Sequence, residues 1–196
     1  MSLNLRLIKT KLITDLIKIV SRVVVIMFII MIITYFISSS PSSLNSSSNK
    51  ISIDKEYFSN KTLKKSTSML NGIKNGAEKE YYSNSSIKWH SNYKDGLKDG
   101  LQKWFNTKGI LEWECNYKKN KKNGIENIYY SNGKLRRETI YKMGHKHGLE
   151  RVYFKSGELQ LEINYYNNMY HGVYAKYNKN GKLLLKNNYL NNKIVE

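Results

Sequence analysis

Four histidines (His90, His145, His147 and His171) and four glutamates (Glu112, Glu114, Glu138 and Glu162) are the residues whose types could ligate a metal or move a proton. His145 and His147 flank a single lysine, which invites a metal reading. His147 and His171, however, hold one position of a 24-residue repeat, just before a glycine. Repeats of two strands each stand roughly 10 Å apart, too far for neighbouring repeats to share one ion. These histidines are read as turn residues. Glu114, Glu138 and Glu162 also share one repeat position, on the polar phase of strands rich in lysine, so cross-strand ion pairing is their expected role. Cys115 is the single cysteine, which excludes an internal disulfide or a cysteine zinc site and leaves a packed thiol. No glycine-rich phosphate loop runs from a strand into a helix, and no serine elbow is present. No catalytic residue, metal or cofactor is expected, and the chain is read as non-enzymatic.

The repeat that disposes of these candidates is also the element that must position any site. Gly72, Gly96 and Gly144 share a phase with Asn120, Asn168 and Asn192, all at multiples of 24 residues. Gly76, Gly100, Gly124, Gly148 and Gly172 form a second series, and Gly109, Gly133, Gly157 and Gly181 a third. All twelve glycines are read as repeat turn residues, because glycine or asparagine tolerates the positive φ that tight turns need. Aromatic residues recur at Tyr57, Tyr81, Phe105, Tyr129, Tyr153 and Tyr177, and aliphatic ones at Leu63, Ile87, Leu111, Leu135, Leu159 and Leu183. So many series in one phase require an array of identical folding units.

Within each unit the pattern has period two. Leu111, Trp113, Cys115 and Tyr117 alternate with Glu112, Glu114 and Asn116, which predicts a strand with one packed and one wet face. A turn such as Lys142-Met143-Gly144-His145 follows, then a second strand over Leu149–Phe154. Each unit is therefore a hairpin, and hairpins that are marginal alone gain stability by adding edge to edge. The terminal units depart from the pattern: Lys61 and Met69 stand where later units have glycine and tyrosine, and Ser85 replaces a turn glycine.

Tyr130-Ser131-Asn132-Gly133-Lys134-Leu135, continued through Tyr141, Gly144 and Gly148, resembles the MORN-variant repeat. The resemblance covers roughly residues 53–196. It implies a mainly β fold, an elongated single-layer ladder of β-hairpins with about six repeats. It implies no single activity: arrays of this type serve as scaffolds, membrane-apposed modules and adaptors, and many bacterial variants carry an antitoxin-like label.

Upstream of the repeats, Val23–Ile37 is fifteen residues without a charge. With its flanks, 19–40 approaches the roughly 20 residues needed to cross a bilayer core, and is read as a transmembrane α-helical anchor. Arg6, Lys9, Lys11 and Lys18 precede it with only Asp15 opposing, so residues 1–22 form a basic amphipathic lead-in. The positive-inside rule then places the N-terminus in the cytoplasm and the repeats outside it. The competing expectation is a cleaved signal peptide ending near Ser38–Ser40, which also exports the repeats. Residues 38–52, rich in serine and asparagine, read as a flexible tether.

The formal net charge is +18, and basic excess is spread along the chain. An anionic partner is consistent with such a surface, but no defined nucleic-acid module is present, so nucleic acid is not expected. Tyr93, Tyr117, Tyr141, Tyr165 and Tyr189 should line one side of the ladder beside Trp89 and Trp113, with Lys121, Lys122, Arg136, Arg137 and Lys146 at its rim. That face is the candidate binding surface, for a protein or anionic partner or for self-association. The expected function is a membrane-anchored interaction module; the alternative is an antitoxin or immunity-type protein that neutralises a partner by binding.

Overall fold

Valine, isoleucine, tyrosine and tryptophan at alternate positions suit a pleated, half-buried surface, and the turn residues between them reverse the chain at short intervals. The computed structural model describes residues 20–34 and 49–195. Residues 49–195 form one open antiparallel sheet of 14 strands, each paired with its neighbour in sequence. The strands that carry the argument are β2 (Leu63–Leu70), β3 (Ile73–Tyr81), β4 (Ile87–Lys94), β5 (Leu97–Lys98), β6 (Gly100–Phe105), β7 (Leu111–Lys118), β8 (Lys121–Tyr129) and β9 (Leu135–Lys142). They continue through β10 (His145–Tyr153), β11 (Leu159–Tyr166), β12 (Met169–Tyr177) and β13 (Leu183–Leu190), with β1 (Ile51–Tyr57) and β14 (Lys193–Val195) at the two edges. β5 and β6 are one strand position interrupted at Asp99, both pairing with β4.

The hairpin turns hook onto the preceding repeat. Asn120 N donates to Lys98 O (2.9 Å), while Asn120 Oδ1 accepts from Lys98 N (2.7 Å). Asn168 and Asn192 make the same pair of bonds to Lys146 and Tyr170. This explains why glycine and asparagine exchange in this series: both accept positive φ, and asparagine adds a side-chain bond. Lys61 and Ser85 adopt φ of 65° and 67° at the other turn, so the terminal repeats keep the backbone at some cost in strain.

Two sequence expectations need correction. Gly76, Gly124, Gly148 and Gly172 lie inside strands, not in turns, and Gly100 opens β6. In the repeat of β7 and β8, Cys115 pairs with Glu126 and Tyr117 with Lys122, so three residues, 123–125, oppose the single Asn116. Such a bulge bends the strand and increases its twist. Gly124 has φ +108°, and a Cβ there would lie 3.3 Å from Asn116 Cβ. The second strand accordingly starts earlier than expected: β10 begins at His145, not Leu149, and His147 and His171 are bulge residues.

The sheet has no covering layer, and its interior reflects that. Among the described residues, only Cys115, Ile163 and Ala175 are buried and apolar, whereas Thr67, Glu78, Ser91, Gln102, Glu126, Thr139 and Glu150 are buried and polar. The buried line runs through the middle of one sheet face, where Glu126 pairs with both Cys115 and Thr139.

The N-terminal unit is separate. Residues 20–34 form a helix, and no helix among the described residues is long and apolar enough to cross a membrane. The anchor read over 19–40 is thus described only in part. Position 19, positions 35–40, the rest of the lead-in and the linker up to residue 48 lie outside the described residues.

Replacing Gly124 by alanine should cost roughly 1–3 kcal/mol, because the left-handed conformation and the Asn116 contact both oppose a Cβ. Gly133→Asn should cost under about 1 kcal/mol, since φ there is +82° with nothing within 4 Å and asparagine tolerates such a φ. Urea unfolding of the two variants against the parent checks both values.

Candidate functional site

A carboxylate in the middle of a sheet face loses hydration and must recover it from cations and hydrogen-bond donors. Glu78, Glu126 and Glu150 meet this demand in the same way, each with a lysine four residues earlier, across the bulge. Lys74 Nζ lies 2.5 Å from Glu78 Oε2 and Lys146 Nζ 2.6 Å from Glu150 Oε2, and Lys122 pairs equally closely with Glu126. Thr67 Oγ1 donates to Glu78 (3.1 Å), Thr139 Oγ1 to Glu150 (2.8 Å) and Trp113 Nε1 to Glu126 (2.9 Å). Lys65, 3.3 Å from Glu78, and Arg137, 3.7 Å from Glu126, add second cations.

The tyrosines close over these pairs. Lys74, Lys122 and Lys146 place their ammonium groups 4.7, 4.8 and 4.6 Å from the ring centres of Tyr93, Tyr141 and Tyr165. Such cation–π contacts leave the lysine stem covering the ring. Tyr93 and Tyr165 hydroxyls donate to Glu78 (3.3 Å) and Glu150 (3.4 Å). Burial and the nearby Glu126 carboxylate push Tyr141 up to about 12. In the last repeat Tyr170 and Tyr174 stand in place of lysine and glutamate, and they pack on Tyr189 at 5.4 and 6.0 Å. An uncharged aromatic cluster thus fills the same volume.

All seven residues of the candidate binding surface lie on this one face. Trp89 and Tyr93 sit on β4, Trp113 and Tyr117 on β7, and Tyr141, Tyr165 and Tyr189 on β9, β11 and β13. Trp89 and Trp113 stack with centroids 5.4 Å apart and planes 12° from parallel. The basic rim is a different matter: Lys122, Arg137 and Lys146 are not rim residues but are engaged by Glu126 and Glu150. Arg136 sits over the Tyr130 ring and Lys121 is exposed at the start of β8.

The opposite face carries the glutamates singled out from sequence. Glu114 accepts from Tyr129 hydroxyl (2.8 Å) and lies 3.6 Å from Lys103, while Arg151 bridges Glu138 (3.7 Å) and Glu162 (3.2 Å). Glu112 accepts from Asn106 Nδ2. These are cross-strand pairs, not a converging acid and base. Tyr166 lies between His147 (5.0 Å) and His171 (5.6 Å), and His145 Nδ1 meets Asn168 Nδ2 at 2.8 Å. Burial and the charges of Lys79 and Lys103 hold His90 below its ordinary value. Among the described residues no three His, Cys, Asp or Glu side chains gather as a metal site would require. Cys115 is fully buried, and burial with the Glu126 charge pushes its thiol up to about 12, leaving it un-ionised at neutral pH.

Sequence reading missed the buried glutamates. Their signal was present, since Glu78, Gln102, Glu126 and Glu150 recur at 24 residues. Simple alternation puts this series on the aromatic face, but residues four apart on a regular strand lie roughly 13 Å apart, and only the bulge brings each lysine onto its glutamate.

An open, single-layer array of antiparallel hairpins, each locked to the next through its turn, is a β repeat protein of the solenoid class. The profile of the MORN repeat variant matches three consecutive stretches, residues 122–143, 146–168 and 170–191. Residues 122–191 are thus three consecutive MORN-variant repeats, and the same antiparallel strand order continues upstream of them to β1. No curated protein matches the chain. MORN repeats generally mediate protein or membrane interaction.

Glu126→Ala removes the carboxylate shared by Lys122, Trp113 and Arg137 and should destabilise the array by roughly 2–3 kcal/mol. Glu158→Ala, at an exposed position, should leave the melting temperature essentially unchanged. Thermal unfolding of both variants is the check.

Stability should also fall in acid. Burial tends to raise Glu78 and Glu126, but the hydrogen bonds and charges of Lys74 and Lys122 outweigh it, aided by Thr67 and Lys65 at Glu78 and by Trp113 and Arg137 at Glu126; both carboxyls lie below their ordinary 4.5. Groups depressed in the folded state stabilise it above their unfolded value and lose that contribution as pH falls through the folded one. The melting temperature should therefore drop as pH falls below about 4.5 and continue to drop until both folded-state values are passed.

Proposed function

We propose that this protein is a membrane-tethered, non-enzymatic interaction module whose repeat array is displayed on the extracytoplasmic side. The observation that carries the interaction reading is the aromatic face, a row of tyrosines and tryptophans interleaved with lysines, along a sheet with no second layer over it. Tyrosine and tryptophan are the residues enriched at recognition surfaces.

Tethering is supported by the uncharged run 23–37 and by the basic residues before it. The helix over 20–34 exposes its apolar side chains on every side, from Val20 to Ile33. A helix apolar all round needs an apolar environment. The mechanism is presentation: the anchor localises the array, the serine-rich linker before β1 gives it reach, and the face receives the partner.

Protease shaving of intact cells that carry a C-terminal tag tests this reading. Removal of the tag, with a small anchored fragment left behind, is the expected result. Protection of the tag until the membrane is opened would sink the extracytoplasmic assignment and move the search for a partner, including an immunity-type one, to the cytoplasm.

A further inference from the structure

The ladder of buried acids is broken once, and the break coincides with all three tryptophans of the chain. At the position of Glu78, Glu126 and Glu150, the repeat of β4 to β7 has Gln102, which is fully buried. Its amide is turned to the backbone: Nε2 donates to Asn92 O (3.1 Å) and Gly100 O (3.3 Å). Gln102 Oε1 is buried without a donor. Lys98, the counterpart of Lys74, Lys122 and Lys146, has no carboxylate to meet. Its ammonium lies 5.6 Å from the centres of both Trp89 and Tyr117, and it makes no ion pair among the described residues. The Tyr117 hydroxyl, whose counterparts in Tyr93 and Tyr165 donate to Glu78 and Glu150, has no acceptor among the described residues.

One repeat therefore holds a lysine ammonium and a tyrosine hydroxyl at positions that elsewhere converge on a carboxylate, with the carboxylate missing. The last repeat shows the other way to lose the acid, with both charged residues replaced by tyrosine. Keeping the lysine while removing its partner leaves a half-buried cation between two aromatic rings, where an unpaired charge is costly.

We propose that Lys98 and Tyr117, walled by Trp89, form a receptor site for a carboxylate side chain of an acidic peptide segment in a partner protein. The incoming carboxylate meets this ammonium and hydroxyl from the open side of the face, in the role that Glu78, Glu126 and Glu150 fill in their own repeats. One ammonium and one hydroxyl match a monoanion, whereas a phosphate dianion calls for more donors and charge. An ammonium has three N–H donors, so Lys98 can serve Gln102 Oε1 and the ligand together. The stacked Trp89 and Trp113 supply rigid apolar walls that exclude water from the pair. The inference rests on reading this array as a protein-binding module and names the chemistry of its partner.

The test titrates the purified full chain with N-acetyl-tetraglutamate amide and follows tryptophan emission, since all three tryptophans lie in this repeat. Saturable binding is expected, weakened about tenfold or more by Lys98→Met, the loss of a charge-assisted bond. Gln102→Glu, which supplies an internal carboxylate, should abolish it while the fold is retained. Tyr117→Phe should weaken it by a smaller factor, and Lys155→Met, at an exposed turn of another repeat, should leave it unchanged. Binding that is indifferent to Lys98 and Gln102 overturns the site while leaving the binding-module reading in place. Preference for inorganic phosphate or for phosphatidylglycerol vesicles over the peptide overturns the assigned ligand class. Absence of any saturable response overturns the site, and the shaving result then stands on its own.

Discussion

A carboxylate buried in a sheet one layer thick is the constraint around which this protein is organised. A single layer cannot enclose an oily core, because every side chain has solvent close by on one side. What it can enclose is a narrow line down the middle of one face, and here that line is largely polar. Glu78, Glu126 and Glu150 would be ruinous there alone. They are tolerable because a lysine reaches each across a bulge and a hydroxyl or indole donor closes each from the side. The bulge is what brings residues four apart in one strand onto the same carboxylate, so the glycine at its centre is as much a part of the ion pair as the charged groups.

From that pairing the rest of the face follows. A lysine bound to a buried acid is held with its stem flat, and the tyrosine of the next hairpin lies against it. Each repeat thereby seals the acid of its neighbour, which couples stability along the array in the nearest-neighbour fashion of solenoid proteins. The arrangement also makes a surface. Rings and cations needed to protect the interior are the same groups that a partner would touch, so there is little separation between what holds the sheet together and what it presents.

Equivalence among repeats makes departures informative. Tyr170 and Tyr174 replace the ion pair by ring packing and leave no group in need of a partner. Lys98 and Gln102 replace it by halves, and the unmatched groups face the one part of the sheet that carries indoles. Within an array of near-identical units, function is most economically sought at a unit that keeps the geometry but drops one member of a mutually dependent set.

How much of this was legible in the sequence depended on distance along the chain. Period-two alternation at Leu111 to Tyr117, turn residues of positive φ and the 24-residue spacing determined the hairpin ladder, the common face of Trp89, Trp113 and the tyrosines, and the packed Cys115, because each is a local rule repeated. The cross-strand roles of Glu114, Glu138 and Glu162 followed from position among lysines. The side chains of Glu78, Gln102, Glu126 and Glu150 were decided only by the tertiary structure. Three residues oppose one at each bulge, which draws together a lysine and a glutamate that a regular strand would hold far apart, and no alternation rule anticipates that contact. Likewise, sequence placed Lys122, Arg137 and Lys146 at a rim, but pairing across strands drew them to buried acids. Backbone period is written in adjacent residues; which charges meet depends on register between strands, and that exists only once the sheet has formed.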